Sequence, residues 1–365
     1  MKAYISFGFL ILALALACTR EGQLVDNSIN EWKIVAASSD ATLKLITLPT
    51  NKILSNDIYA EMNGGERLPG NISKIYQHDE RLYLLIPSDF SIIVVDASPI
   101  SMKKLGKIDF SGSKKIPSDI CIPPNSTDAY VCHENDSTVS LVDISEIGKY
   151  KIARTIAVGL APVAINVSQS SDQLHNLGNT IIVANRKSNT VSIIPTNYIA
   201  GDGTPHTVTK TIPVSAAPCL IGINTEGTLA IVISAGSGKF DTDPKTAMVA
   251  TVIDIHTRTV KATNDIGNGD YNSSDLTPVS FDFSSQYSGF IATDKELFLY
   301  SDTYNSTTVI DGSIIKEVLQ NQKRDEMLFL RNSSGLIELL VADNSTGEIK
   351  ANFNLSASIT FVYPL

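Results

Sequence analysis

Two segments of the chain gather the residue types best suited to recognition. AGSGKFDTDPKTA, residues 235–247, supplies Phe240, Asp241, Asp243 and Lys245. NDIGNGDYNSSDLTP, residues 264–278, supplies Asp270, Tyr271 and Asp275. Aromatic rings set among carboxylates and a lysine suit a small polar ligand or a protein partner. The plainer reading is a pair of solvated surface loops. A second group comes from two similar stretches, AYVCHENDSTVSLVD and TIIVANRKSNTVSIIP. His133 and Asn185 occupy matching places in them and are followed by Glu134 and Arg186. Together they form either a central polar patch or a set of loop residues facing water.

Other chemistry finds little support. No two of the five histidines (His78, His133, His175, His206 and His256) share ligand-like spacing, so neither zinc nor haem ligation is expected. The DTD at 241–243 lacks the longer ligand series of a calcium loop. Neither a nucleophile elbow nor a phosphate or dinucleotide loop appears in its required context, and no helix follows GNGDYN. No catalytic residue, metal or cofactor is therefore assigned.

Cys18 is the exception. It ends MKAYISFGFLILALALAC, where Lys2 precedes an almost wholly apolar run over residues 4–17. Fourteen residues are too short to span a bilayer as a helix but fit the apolar core of a signal peptide. A cysteine just after Ala17 resembles a lipobox, so residues 1–17 are expected to be cleaved and Cys18 acylated. Residues 18–30 would then be a tether, and the acyl chains the membrane anchor. An ordinary secretory signal is the alternative. Thr19, rather than aspartate, after the cysteine favours the outer membrane, on its periplasmic side or at the cell surface. The formal charge of −9 disfavours nucleic acid and simple docking on anionic lipid. Cys121 and Cys132 flank the turn PNSTD. A disulfide is permitted in an exported protein, but two reduced, buried thiols fit better, since directly opposed strand positions strain the bond.

The elements that must position these residues are short strands. From residue 118 to 215 the chain runs twice through four segments rich in Val, Ile, Leu and Thr, separated by Asn, Asp, Ser and Gly turns. The stretch from His133 to Asp143 equals in length those from Asn185 to Pro195, Ile86 to Asp96 and Ala37 to Thr47. Four-stranded units recurring every forty to fifty residues, roughly, mean propeller blades. One such sheet cannot bury both faces alone, and radial stacking buries each face against a neighbour. A proline with a bulky residue three places on marks each innermost strand, at Pro69, Pro117, Pro162, Pro218 and Pro278. Degenerate copies follow at Ile315 (IKEV) and Ser356 (SASI). That makes seven. The last copy has no strands after it, while EWKIVAASSD and ATLKLITL lack an innermost strand before them. The expectation is an all-β, seven-bladed propeller of four-stranded antiparallel blades over residues 31–365, closed by a C-terminal strand that joins the N-terminal blade.

The third and fourth units resemble the YVTN repeat of bacterial seven-bladed propellers, whose blades read approximately YVAN-x-x-SN-TVSVID. AVGLAPVAINVS is similar to that family's VG-x-x-P-x-x-IAVS element. The second and fifth blades match partly; the first, sixth and seventh diverge. The resemblance implies the fold and leaves activity open, because some relatives are lactonases and others subunits of periplasmic dehydrogenases, and no residue here matches their catalytic positions. On such a ring the two long loops should lie side by side on one face. The expected function is a lipid-anchored envelope binding protein, a monomer or a subunit of an envelope complex. Its ligand would be a protein or a small molecule held at those loops. The alternative is a lactonase-like or other hydrolytic enzyme. Convergent polar groups with shifted pKa near the central channel would favour the enzyme; an apolar or aromatic rim would favour binding.

Overall fold

The computed structural model describes residues 31–98, 101–168, 179–197, 204–240, 243–266, 275–284, 288–301, 306–310 (backbone only), 314–333 and 335–365. The expected signal peptide and tether, with Cys18, lie outside these residues, as do His175, Asp241, Asp270 and Tyr271. No described helix is long and apolar enough to cross a membrane.

Seven four-stranded antiparallel sheets follow one another along the chain. Second strands such as Thr180–Asn185 are buried along their whole length, whereas the outermost strand Lys151–Ala157 is almost wholly exposed. This gradient explains the sequence pattern. A strand flanked by a blade on either face reads as a continuous apolar run, and only a strand on the perimeter is free to be polar. The buried apolar residues fall into seven clusters, each spanning one blade interface. The core is thus seven layers between blades, with a polar channel at the centre.

Blade 1 combines both ends of the described chain. Strand Ile359–Pro364 pairs antiparallel with Trp32–Ser38, which pairs in turn with Leu43–Leu48, and Lys52–Ser55 completes the sheet. Ile359 and Val362 pack with Leu328, Leu339 and Leu355 of blade 7, while Phe361 packs with Leu82 and Leu84 of blade 2. The closing strand is therefore held on both faces.

The prolines open the innermost strands of blades 3 to 6 at Pro117, Pro162, Pro218 and Pro278. A strand's first position suits a residue with fixed φ and no N–H. Blade 2 differs from expectation. Its innermost strand starts at Lys74, five residues beyond Pro69, after a connection that includes a helix, Ile58–Met62. Gly70 and Gly159 set the true alignment. A Cβ on Gly70 would meet Ser88 Oγ and Ile86, and one on Gly159 would meet Ser188 Oγ and Asn185. Ser73 thus stands where Pro162 does. The seventh copy also shifts, since Val362, not Ile359, is level with Ile120, Ile165 and Ile221.

In every blade except the second, the innermost strand carries a one-residue bulge at the same level. Ser118, Val163, Cys219, Val279, Lys316 and Thr360 are the extra residues. A bulge bends its strand and re-aims the side chains beside it. Here it brings Ser118, Val163, Cys219 and Val279 to the channel mouth.

Candidate functional site

The seven innermost strands enclose a cavity of about 420 Å³ on the ring axis. Immediately below the bulges, at one level, come Phe361, Lys74, Asp119, Ala164, Leu220, Ser280 and Glu317. Two residues further along each strand come Tyr363, Tyr76, Cys121, Asn166, Gly222, Asp282 and Leu319. Blades 2, 3, 6 and 7 therefore bring one ammonium and three carboxyl groups into a single enclosure.

The inner edge of each first strand has no neighbouring strand, so its N–H groups need other partners. The channel side chains supply them. Asp119 Oδ1 accepts from its own Ile120 N–H at 2.8 Å, and Oδ2 accepts from Ile165 N–H of the next blade at 3.1 Å. Asp282 repeats the device with Phe283 and Gln320 N–H, both at 2.9 Å. Asn166 accepts from Val167 N–H and donates to the Ile221 carbonyl. Lys74 Nζ closes on Asp119 Oδ1 at 2.6 Å.

Glu317 has far less. Its one hydrogen bond among the described residues comes from the Ser280 hydroxyl at 3.4 Å, and the same hydroxyl proton is also within reach of the Val318 carbonyl at 3.3 Å. Burial pushes the Glu317 carboxyl up to about 8; Lys74 opposes this, while Asp282 and Asp119 reinforce it. Burial likewise raises Asp282 to about 6, against its two backbone donors and Lys74. For Lys74, burial disfavours the charge, but the Asp119 carboxylate outweighs it and the proton is held more tightly than usual. Water reaches 40% of the Lys74 side chain, which lines a channel that continues past Tyr76, Asp282 and Tyr363, so channel water screens the pair.

The mouth above this enclosure is lined by Pro117, Ser118, Val163, Cys219, Pro278 and Val279. Three neighbouring loops meet over it. Arg186 from blade 4 pairs with Glu134 from blade 3, and its guanidinium lies 4.5 Å from the ring centre of Phe240 from blade 5. The turn that carries Phe240 has ten more residues than the four-residue turns of blades 3 and 4. It folds back on itself: Gly238, at φ +75°, lies against the carbonyl of exposed Asp243. Lys245 reaches Asp275 at 3.5 Å, which brings together these two described residues of the long loops.

Of the expected polar patch, only Glu134 and Arg186 lie at the mouth. His133 and Asn185 are fully buried inside their blades, a correction to the open placement. His133 Nδ1 donates to the Ile116 carbonyl, Nε2 accepts from Ser140 Oγ at 2.9 Å, and the ring packs edge-on against Phe110. Burial lowers its pKa to about 4, so it stays neutral. Asn185 donates to Thr190 and Ser192 in the matching position. Both residues tie a second strand to a third. Cys121 and Cys132 are free and buried, and they pair with Tyr130 and Asp119 rather than with each other.

The sequence reading missed Lys74, Asp119, Asp282 and Glu317. Their common signal was position: Asp119, Glu317 and Asp282 are the second, second and fourth residues after the strand-opening proline or its equivalent, and Lys74, in the blade without a bulge, is the first after Ser73 and was concealed by the misplaced Pro69. Among the described residues no group of three or more His, Cys, Asp or Glu is arranged to hold a metal ion. The enclosure can offer hydrogen bonds and charge to a small polar molecule, or a proton donor and acceptor of unequal strength.

No family model matches the chain, and no curated protein sequence matches it. Solved structures do. A functionally unknown protein from Desulfotomaculum acetoxidans is 11% identical over 91% of this chain and 98% of its own, with a TM-score of 0.66. A protein from Lactobacillus plantarum is 11% identical over 92% and 99%, with a TM-score of 0.64. Hydrazine synthase of Kuenenia stuttgartiensis is 14% identical over 78% and 89%, with a TM-score of 0.56. At such identities the likeness establishes the propeller and nothing of its chemistry.

Proposed function

We propose that this chain is an exported propeller, anchored through acylated Cys18 in the bacterial envelope, that binds a small polar molecule in its central channel. The reading rests on one observation: Pro117, Val163, Pro278, Val279 and Phe240 give an apolar and aromatic rim to a cavity of about 420 Å³, within the range of roughly 300–1,000 Å³ typical of ligand sites. The mouth formed by Glu134, Arg186 and Phe240 is the entrance, with Pro278 also on its rim. The YVTN-like repeats and the lipobox-like MKAYISFGFLILALALAC support an envelope setting. Native mass spectrometry of protein taken from its own cells tests this. A non-covalent adduct on an acylated chain beginning at Cys18 is expected. A bare polypeptide at every preparation would remove the binding reading, and an unacylated N-terminus the anchor.

A second reading is hydrolysis. Glu317 at about 8 and Asp282 at about 6 share one enclosure, and two carboxyls with separated proton affinities suit general acid and general base roles. Turnover of lactones or esters abolished by Glu317→Gln would establish it.

A further inference from the structure

We infer that the channel ligand carries an N–H-bearing organic cation, an ammonium or guanidinium on a short chain, received by the Glu317 carboxylate. This rests on the proposal that the channel is the binding site and adds the class of ligand.

The argument is one of unmet demand. Asp119 has Lys74 and two backbone N–H donors, and Asp282 has two backbone N–H donors. Glu317 lines the same cavity with a single long contact to a hydroxyl that is shared with a carbonyl. The groups whose charge reaches it are Lys74, Asp282 and Asp119, from three other blades. Lys74 is already committed to Asp119, so the enclosure holds one cation against three carboxyls. Glu317 is half-buried and faces the channel rather than bulk solvent; a carboxylate so placed, with so few protein donors, is poorly stabilised and tends to keep its proton. An entering ammonium supplies both the missing charge and the missing donors. Tyr76, Phe281, Phe361 and Tyr363 also line the cavity and offer ring surface to the ligand's carbon skeleton.

Binding then has a proton signature. Desolvation favours the protonated form of Glu317 at neutral pH, so the group must ionise to receive a cation, and close to one proton leaves for each ligand bound. A neutral alcohol or amide would leave it protonated and release none.

The test is calorimetry on the whole protein at pH 7 in two buffers of different ionisation enthalpy. n-Butylammonium is the probe, with n-butanol, tetramethylammonium and Ca²⁺ for comparison. We expect n-butylammonium to bind with release of close to one proton, and Glu317→Gln, nearly isosteric, to bind at least about tenfold more weakly without release. Retained unfolding temperature in that variant separates lost recognition from lost folding. Binding of n-butanol or Ca²⁺ but not n-butylammonium overturns the cation assignment, as does n-butylammonium binding without proton release. A neutral or anionic molecule found by native mass spectrometry would likewise overturn it, while leaving the channel as a binding site.

Discussion

Lys74 of blade 2 reaches across to Asp119 of blade 3, with Nζ 2.6 Å from Oδ1, while the other carboxylate oxygen of Asp119 accepts the Ile165 N–H of blade 4. One side chain thus links three consecutive blades at the inner edge of the ring. Removing it strands a partly buried ammonium and two edge N–H donors. Asp119→Ala is therefore expected to cost about 2–4 kcal/mol, toward the lower part of the range for breaking buried pairs because channel water screens Lys74. Lys74→Met leaves Asp119 with its backbone donors and should cost clearly less. Urea unfolding of the two variants gives the comparison, and equal losses would refute the bridging role of Asp119.

Stability should depend on pH in a direction set by Glu317. Its folded pKa of about 8 lies above the ordinary 4.5, so the native state holds a proton that the unfolded chain has released. Stability is fullest below pH 4.5 for this group and falls as pH rises toward 8. Asp282 acts in the same sense between 3.8 and about 6. His133 acts oppositely: held at about 4 against an ordinary 6.5, it costs stability as pH falls through that interval. Between pH 7 and 8 Glu317 dominates among these three. A loss of about 1 kcal/mol is expected there, after allowance for channel water, and Glu317→Gln should flatten it.

Closure by the C-terminal strand should be essential. Ile359 and Val362 are buried against blade 7 and Phe361 against blade 2. Ile359→Ala is expected to cost about 2–4 kcal/mol and Phe361→Ala about 3–5 kcal/mol. Deleting residues 355–365 exposes two blade faces at once and should leave the chain unfolded or aggregated. Circular dichroism and gel filtration of the truncated chain would show this.

Gly222 makes room for the next blade. A Cβ there would come within 2.2 Å of the Phe281 ring and 2.8 Å of Phe283. Gly222→Ala should cost about 1–3 kcal/mol, as overpacking does. Gly222→Ala combined with Phe281→Leu should recover part of the loss, read from unfolding midpoints.

The Cys121 and Cys132 thiols should be inert while the fold persists. Burial drives both well above the ordinary thiol value. Since the thiolate is the reactive form, their alkylation by iodoacetamide at pH 8 should be slow in the native protein and fast in guanidinium, whereas half-exposed Cys219 at the channel mouth should label before them. Rapid native labelling at Cys121 or Cys132 would contradict the packing described.

The ring was legible because its signals are local and repeated: equal spacing between second-strand and third-strand ends, turns of Asn, Asp and Ser, and prolines opening inner strands. It blurred where those signals lapsed. Ser73 replaces the proline in blade 2 and Pro69 mimics it, so the alignment slipped there; in blade 1 no proline marks the level of Ile359. The site was harder to read for a different reason. His133 looked like a mouth residue because it ends a strand, yet its partner Ser140 lies on the adjacent strand, and two buried strands can satisfy a histidine internally. Conversely, Lys74, Asp119, Asp282 and Glu317 are separated by up to 243 positions in the chain. Only closure of the circle places them together. Loop composition is a local property, and the convergence of inner strands is a global one.

Trp32 pairs with Leu48 and Ile34 with Pro364, at the end of blade 1 away from the bulges, and Leu365 N–H donates to the Lys33 carbonyl. Anything joined to the propeller just before Trp32 or after Leu365 therefore emerges on the side opposite Arg186 and Phe240. A protein immobilised on a sensor chip through either end would hold its entrance toward the flowing solution. A reporter fused at the same place would leave diffusion into the opening undisturbed.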